Sequence, residues 1–315
     1  MAYESGVPVY FPTIRSIGRQ DRQYSGTSFF RHYREIFRSL PPEEQRNAIL
    51  LAKRALERRL SGEVGVDMPY STKSAFGKFN GDERVLRKSD KIKVLIATHC
   101  FYDNPHGVGE ILFLDFYEWL RYLGSISEKT DYDWYLKMHP DPLPGTEAII
   151  REIIREFPRI TFISPEVSHH QLVRDGINFV LTVYGTVGQE YPALGVQVIN
   201  AGYNPRIAYD FNWHPKTLAE YEDYLLNLDK LHKDMKMEEV YESYYMHNYY
   251  SLADDLFLNS YRECIQKLST EDRVGSAIYD YFLNQLTEAK HREIIANIRG
   301  YLDSGKRYYF SRGPV

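Results

Sequence analysis

An α/β fold built on a parallel sheet is predicted by three features of the chain. From Lys91 onward, short apolar runs alternate with stretches of helical periodicity. The apolar runs end in polar or glycine-bearing residues: His99, His139-Pro140, Ser164-Pro165 and Gly185-Thr186. The most regular passage is Thr182 to Ala201, TVYGTVGQEYPALGVQVINA, which reads strand, glycine turn, short helix, strand. Strands alternating with helices at this spacing argue for a sheet wound in the Rossmann manner.

The chain begins with AYESGVPVYFPT, which reads as the end of a helix, a glycine stop and a short strand. Polar residues from Arg15 to Thr27 show no clear periodicity. Phe29 to Leu60 is helical, with Phe30, Tyr33, Ile36 and Phe37 on one stripe and Ile49, Ala52, Ala55 and Leu56 on another. Pro41-Pro42 separates the two helices, and Glu43 and Glu44 suit the first turn of the second. Arg54, Arg58 and Arg59 read as a solvated face, and Gly62 to Asp90 as a linker.

The sheet then unfolds in order. Lys93 to His99 is a buried strand, and a loop runs from Cys100 to Glu110. Leu112 to Leu123 is an amphipathic helix, and Tyr132 to Met138 the next strand. Thr146 to Phe157 is a helix, Ile160 to Ile163 a strand, and Ser168 the cap of a short helix through Arg174. Strands at Phe179 and Val196 flank the glycine turn. Beyond Gly202 the chain turns helical: Leu218 to Leu231, Glu238 to Leu268 and Ala277 to Leu302. The organisation expected is a partial N-terminal region and helical linker at 1–90, a Rossmann-like domain at 91–235 and a C-terminal helical extension at 236–315.

Composition narrows the function. The 39 basic and 43 acidic side chains give no overall attraction to nucleic acid or anionic lipid. The 27 Tyr and 16 Phe are many, and suit carbohydrate surfaces, protein interfaces and half-buried helix faces alike. Cys100 and Cys264 stand far apart, without metal-site spacing, and fit a reducing compartment. No apolar run approaches the ~20 residues that span a bilayer, and no signal peptide is visible. A cytoplasmic protein is expected. There is no P-loop, no GxSxG elbow, and no Gly-x-Gly-x-x-Gly after the first strand. The basic stretches lack the aromatic interleaving of a single-strand nucleic-acid binder.

In an open parallel sheet, ligands bind beyond the carboxyl ends of the strands. His139 there can donate a hydrogen bond to a phosphate oxygen, and Ser164 stands at the next strand end. A glycine turn entering a helix, Gly185 to Gly188, offers backbone N–H groups to an anion. Thr186 lies within it, and Glu190 is placed to accept hydrogen bonds from ribose or sugar hydroxyls. Such a turn also serves simply to join strand to helix. Asp103 or His106, in the loop over the cleft, is a candidate base. That loop also carries donor types that suit zinc or manganese, but no second cluster supports a metal and none is expected.

HCFYDNPHG after the first strand, LDFYEWL, KMHP and VYGTVGQEYPALGVQVINAG together resemble the bacterial capsule and surface-polysaccharide biosynthesis proteins. These are GT-B-type glycosyltransferases, related at a distance to capsular Kdo transferases and teichoic-acid glycerophosphotransferases. The resemblance covers about Lys91 to Leu231. It implies a C-terminal-type GT-B domain, with His139 on the donor phosphate and Thr186 and Glu190 in the nucleotide site. Such enzymes have two Rossmann-like halves, and residues 1–90 are too few for a full N-terminal half. AYESGVPVY resembles the last helix and strand of that half, so a truncated form is expected.

The function expected is a glycosyltransferase of capsule or surface-polysaccharide synthesis. Its donor substrate is a nucleotide-sugar, its acceptor a saccharide, and it needs no further cofactor and no nucleic acid. Peripheral docking on a polysaccharide-synthesis complex at the inner membrane face fits the same picture. The alternatives are a non-catalytic binding or assembly protein of such a complex, and a sugar-nucleotide epimerase.

Overall fold

The computed structural model describes residues 7–12, 16–20, 28–67, 73–77, 83–99, 101, 112–139, 145–250, 267–269, 272 and 275–310. The chain divides into two compact units, Met1–Ala48 with Tyr244–Val315, and Ile49–Ser243.

The second unit holds the predicted Rossmann-like parallel sheet. Its strands are β3 (Lys93–Ala97), β4 (Asp133–Lys137), β5 (Ile160–Ile163), β6 (Phe179–Thr182) and β7 (Gln197–Asn200), in the order β5-β4-β3-β6-β7. All four pairings are parallel. The chain winds outward from β3 through β4 to β5. It then returns to β3's other edge with β6 and winds outward again to β7, so the winding reverses between β3 and β6.

Both faces of this sheet are buried, which is why its strands read as apolar runs rather than alternating ones. On one face Val94, Ile96, Trp134, Leu136, Leu181 and Ile199 pack with the helices α3 (Phe116–Lys129), α4 (Thr146–Glu156) and α7 (Leu218–Leu226). On the other, Leu95, Tyr135, Val180 and Val198 meet Leu172 of α5 (His169–Arg174) and Tyr191 of α6 (Val187–Ala193). The period of two along β4 therefore sends Lys137 to the α5–α6 face, beyond Tyr135.

Helix boundaries follow their caps. α3 begins at Phe116, four residues later than its periodicity predicts. The Asp115 side chain accepts the Glu118 N–H at 2.8 Å and fixes the start there. Ser168 stands at the N-cap of α5, but its hydroxyl makes no cap bond. The stretch expected as a linker is anchored wherever it is described. The Asp175 carboxylate accepts the Val85 and Leu86 N–H groups at 2.7 and 3.2 Å, and Leu86 is buried. Ala75 O accepts the His169 N–H at 2.9 Å, pinning residues 73–77 to the start of α5.

The first unit is built differently. β1 (Val9–Pro12), β2 (Ser16–Gln20) and β8 (Tyr308–Phe310) form a sheet in the order β1-β2-β8, with both pairings antiparallel. The N-terminal strand thus lies in an antiparallel sheet and not in a parallel Rossmann arrangement. β2 falls in the stretch where the sequence shows no periodicity. Ile17 and Tyr301 are buried in this unit, with Tyr10, Ile298 and Tyr309 packed on them. Phe29, Phe30, Tyr33 and Phe37 are buried around α1 (Tyr33–Arg38).

Pro42 opens α2 (Pro42–Leu60), as the double proline predicts. α8 (Met237–Tyr245) passes into a π-helical turn at Met246–Tyr250. Ala277 to Leu302, expected to be helical, holds two helices: α9 (Ala277–Gln285) and α10 (Glu288–Asp303). The Thr287 hydroxyl accepts the Lys290 N–H at 3.2 Å and starts the second. Among the described residues no helix is long and apolar enough to cross a membrane.

Candidate functional site

A cleft open to solvent lies in the sheet unit on the α5–α6 face. Ala97 and Thr98 at the end of β3, Lys137 to His139 at the end of β4, and Thr186 and Val187 after β6 line it. The cleft therefore stands where the winding reverses, the usual ligand position of such sheets. His139 and Thr186 share it, together with Glu190. Gly185 and Gly188 form the turn at its edge. Ser164 does not line it. The Ser164 hydroxyl accepts the Glu166 N–H at 3.3 Å, within a local turn. Asp103 and His106 lie outside the described residues.

The glycine turn is less open than its sequence implies. His99 Nε2 accepts the Val183 and Tyr184 N–H groups at 3.1 and 3.2 Å. Thr182 Oγ1 accepts the Gly185 N–H at 3.2 Å, and Gly185 O accepts the Gly188 N–H at 3.0 Å. Thr186 O accepts the Gln189 and Glu190 N–H groups. The amides of the two glycines are engaged inside the turn. Those of Thr186 and Val187 have no acceptor among the described residues, and both residues line the cleft.

The glycines serve packing. A Cβ on Gly185 would sit 2.8 Å from Thr182 Oγ1, and one on Gly188 would sit 2.9 Å from Arg206 Nε and Nη2. Arg206 is buried under the turn and donates to Tyr184 O and Gly185 O, each at 2.8 Å. His99 is a latch between strand ends. Two amides share one ring lone pair, which requires the neutral, Nδ1-protonated ring. Burial, helped by the positive Arg206 and His139, lowers its pKa to about 3. Phe116 stacks on it at 4.5 Å.

Glu190, expected to face ribose, is 2 % exposed and meets Arg59 of α2, whose Nε donates to its Oε1 at 2.6 Å. The same guanidinium pairs with the buried Asp67 and reaches Thr186 Oγ1 at 3.3 Å. Arg59 is thus no part of a solvated face. It ties α2 to the turn across 131 positions of sequence. That contact has no local signal, because three neighbouring arginines look alike in the sequence.

Two further cleft residues escaped the sequence reading. Lys137 is 2 % exposed, and its Nζ donates to Pro165 O at 3.0 Å. Burial lowers its pKa to about 8, against the opposing pull of Glu166 and Glu190. His169 is 5 % exposed, its ring 5.1 Å from both Phe76 and Tyr191. Burial, then the charges of Lys137, Arg59, His139 and His170, hold its pKa well below the ordinary histidine value. Its Nδ1 is buried without a hydrogen-bond partner among the described residues. Lys137 had a signal: it is the last residue of the strand that leads to His139. His139 itself is exposed at the rim.

No family model and no curated protein matches the chain. Among solved structures it is similar to two chains from Thermosulfurimonas dismutans. One is KpsC, beta Kdo 2,4 transferase, at 16% identity and TM-score 0.40, covering 79% of this chain and 74% of that one. The other is KpsC, beta Kdo 2,7 transferase, at 12% identity and TM-score 0.41, covering 78% and 69%.

Proposed function

We propose that the chain is a nucleotide-sugar-dependent glycosyltransferase of capsule or surface-polysaccharide synthesis, with its donor in the cleft at the β3–β6 reversal. The observation that carries this reading is that His139 and Thr186, on strands separated by β3, line one cleft. The motifs KMHP and GTVGQE, which resemble those of capsule glycosyltransferases, contribute these residues. In such a transfer the bond from the anomeric carbon to the phosphate oxygen breaks, and its electron pair leaves with the phosphate. The imidazole of His139 and the amides of Thr186 and Val187 then stabilise the departing charge. The Arg59–Glu190 pair holds the Thr186 turn in register from behind. A base takes the proton of the attacking acceptor hydroxyl, and Asp103 and His106 are the candidates for it.

Calorimetry with a panel of nucleotide-sugars tests the donor site. At least one donor is expected to bind, and His139→Ala to weaken it by about tenfold or more, the loss of one charge-assisted hydrogen bond. If nothing in the panel binds, or the variant binds as well as wild type, the assignment is lost. Sugar transfer to a saccharide acceptor by the donor that binds separates an enzyme from a binding protein.

A further inference from the structure

The inner end of the cleft holds positive character that a single phosphate at the rim does not use. Lys137 is almost wholly buried, yet no carboxylate lies within ion-pair distance of it among the described residues. One of its three N–H donors goes to Pro165 O. Burying an ammonium on one carbonyl costs several kcal/mol unless a further partner arrives. His169, buried on the same lining, leaves Nδ1 unpartnered. A neutral imidazole still offers one N–H donor. None of the nearby carboxylates pairs with Lys137: Glu190 meets Arg59, Glu63 meets Arg58, and Glu166 lies on the exposed turn after β5. Leu95, Ala97 and Phe76 add apolar surface to the same lining.

We infer that Lys137 and His169 form a second, inner oxyanion subsite, distinct from the rim position of His139, which receives an acidic group of the bound ligand. The ligand class is a donor bearing two separated negative groups. The inner group is a carboxylate on the transferred sugar or a second phosphate, and both present the same oxygens to an ammonium and an imidazole N–H. The inference extends the donor reading above, but it is measurable without any nucleotide-sugar.

The Lys137 ammonium reports the subsite directly. The negative charges of Glu166 after β5 and Glu190 on α6 reach it, and Glu63, Arg59 of α2, His169 of α5, Lys73 and His139 line the same cleft. The side-chain resonances of Lys137 in the full chain, assigned with Lys137→Arg, are followed against pH. The titrations use added inorganic phosphate, added acetate, and chloride at matched ionic strength. Phosphate or acetate, but not chloride, is expected to raise the midpoint saturably from about 8. The same shift is expected in His139→Ala. His169→Phe is expected to weaken the anion by about tenfold. A shift with acetate alone assigns the inner group as a carboxylate, and with phosphate alone as a phosphate.

No saturable shift with either anion overturns the subsite. A shift lost in His139→Ala overturns its separateness from the rim. A chain that binds no nucleotide-sugar yet shows the shift loses the donor reading and keeps the subsite. One whose Lys137→Met variant binds nucleotide-sugars as tightly as wild type keeps the donor reading and loses the subsite.

Discussion

The two edges of the cleft solve opposite problems. After β6, the turn from Thr182 to Gly188 engages most of its own polar groups: His99, Thr182, Arg206 and internal carbonyls take up its N–H and C=O groups. After β4, Lys137 reaches the cleft with N–H donors beyond the one given to Pro165 O, and His139 lines it from the rim. The first edge is a rigid scaffold that offers a ligand two amides. The second carries a buried lysine and an exposed histidine. The glycine-rich motif, which looks like the binding element in sequence, is thus mostly architecture. The buried lysine of the β4 end is where charge is available.

That contrast can be broken by mutation. The largest effect is expected from Arg206→Met. It takes the guanidinium donor from the half-buried carbonyls of Tyr184 and Gly185, leaving Gly185 O with the Gly188 N–H alone, and is expected to destabilise the chain by about 3 kcal/mol. Urea denaturation measures it as a lower midpoint with an unchanged slope. A loss under about 1 kcal/mol would mean that the turn does not depend on its buried guanidinium.

Lys137→Met is expected to act in the other direction. Lys137's pKa falls from 10.5 unfolded to about 8 folded, a cost of up to about 3 kcal/mol. The unfolded chain therefore binds the proton more tightly. The cost is fully present below pH 8 and disappears as pH rises from 8 toward 10.5. The variant is expected to be more stable than wild type at pH 7, with the advantage shrinking across that window. Melts at pH 7 and pH 10 check the sign. Equal stability at both would show that the ammonium sits there without strain.

The smallest effect is expected from His139→Ala. Its ring is exposed at the rim, so stability is expected to stay within about 0.5 kcal/mol of wild type while donor affinity falls. A large stability loss would move His139 to the architectural side of the comparison.

The sequence exposes the sheet because buried parallel strands have to be apolar along their whole length. Val94 to Ile96 and Phe179 to Leu181 advertise themselves for that reason. It exposes the strand ends for the opposite reason, since the apolar run stops there. The pairing of Arg59 with Glu190 is silent in sequence, because it depends on how a helix is rotated 131 positions away. The purpose of Gly188 is silent too, since what it accommodates is an arginine further along the chain. The starts of α3 and α10 are a different case. Asp115 and Thr287 are ordinary local caps, and periodicity alone runs straight past them.

β2 pairs with β8, so residues 16–20 and 308–310 are hydrogen-bonded neighbours although nearly the whole chain lies between them. During synthesis from the amino end, β2 has no partner on that edge until residue 308 has been made. The five parallel strands lie wholly between positions 93 and 200, and are available to one another long before then. The ribosome therefore presents the cleft-bearing unit complete while the other still waits for its closing strand.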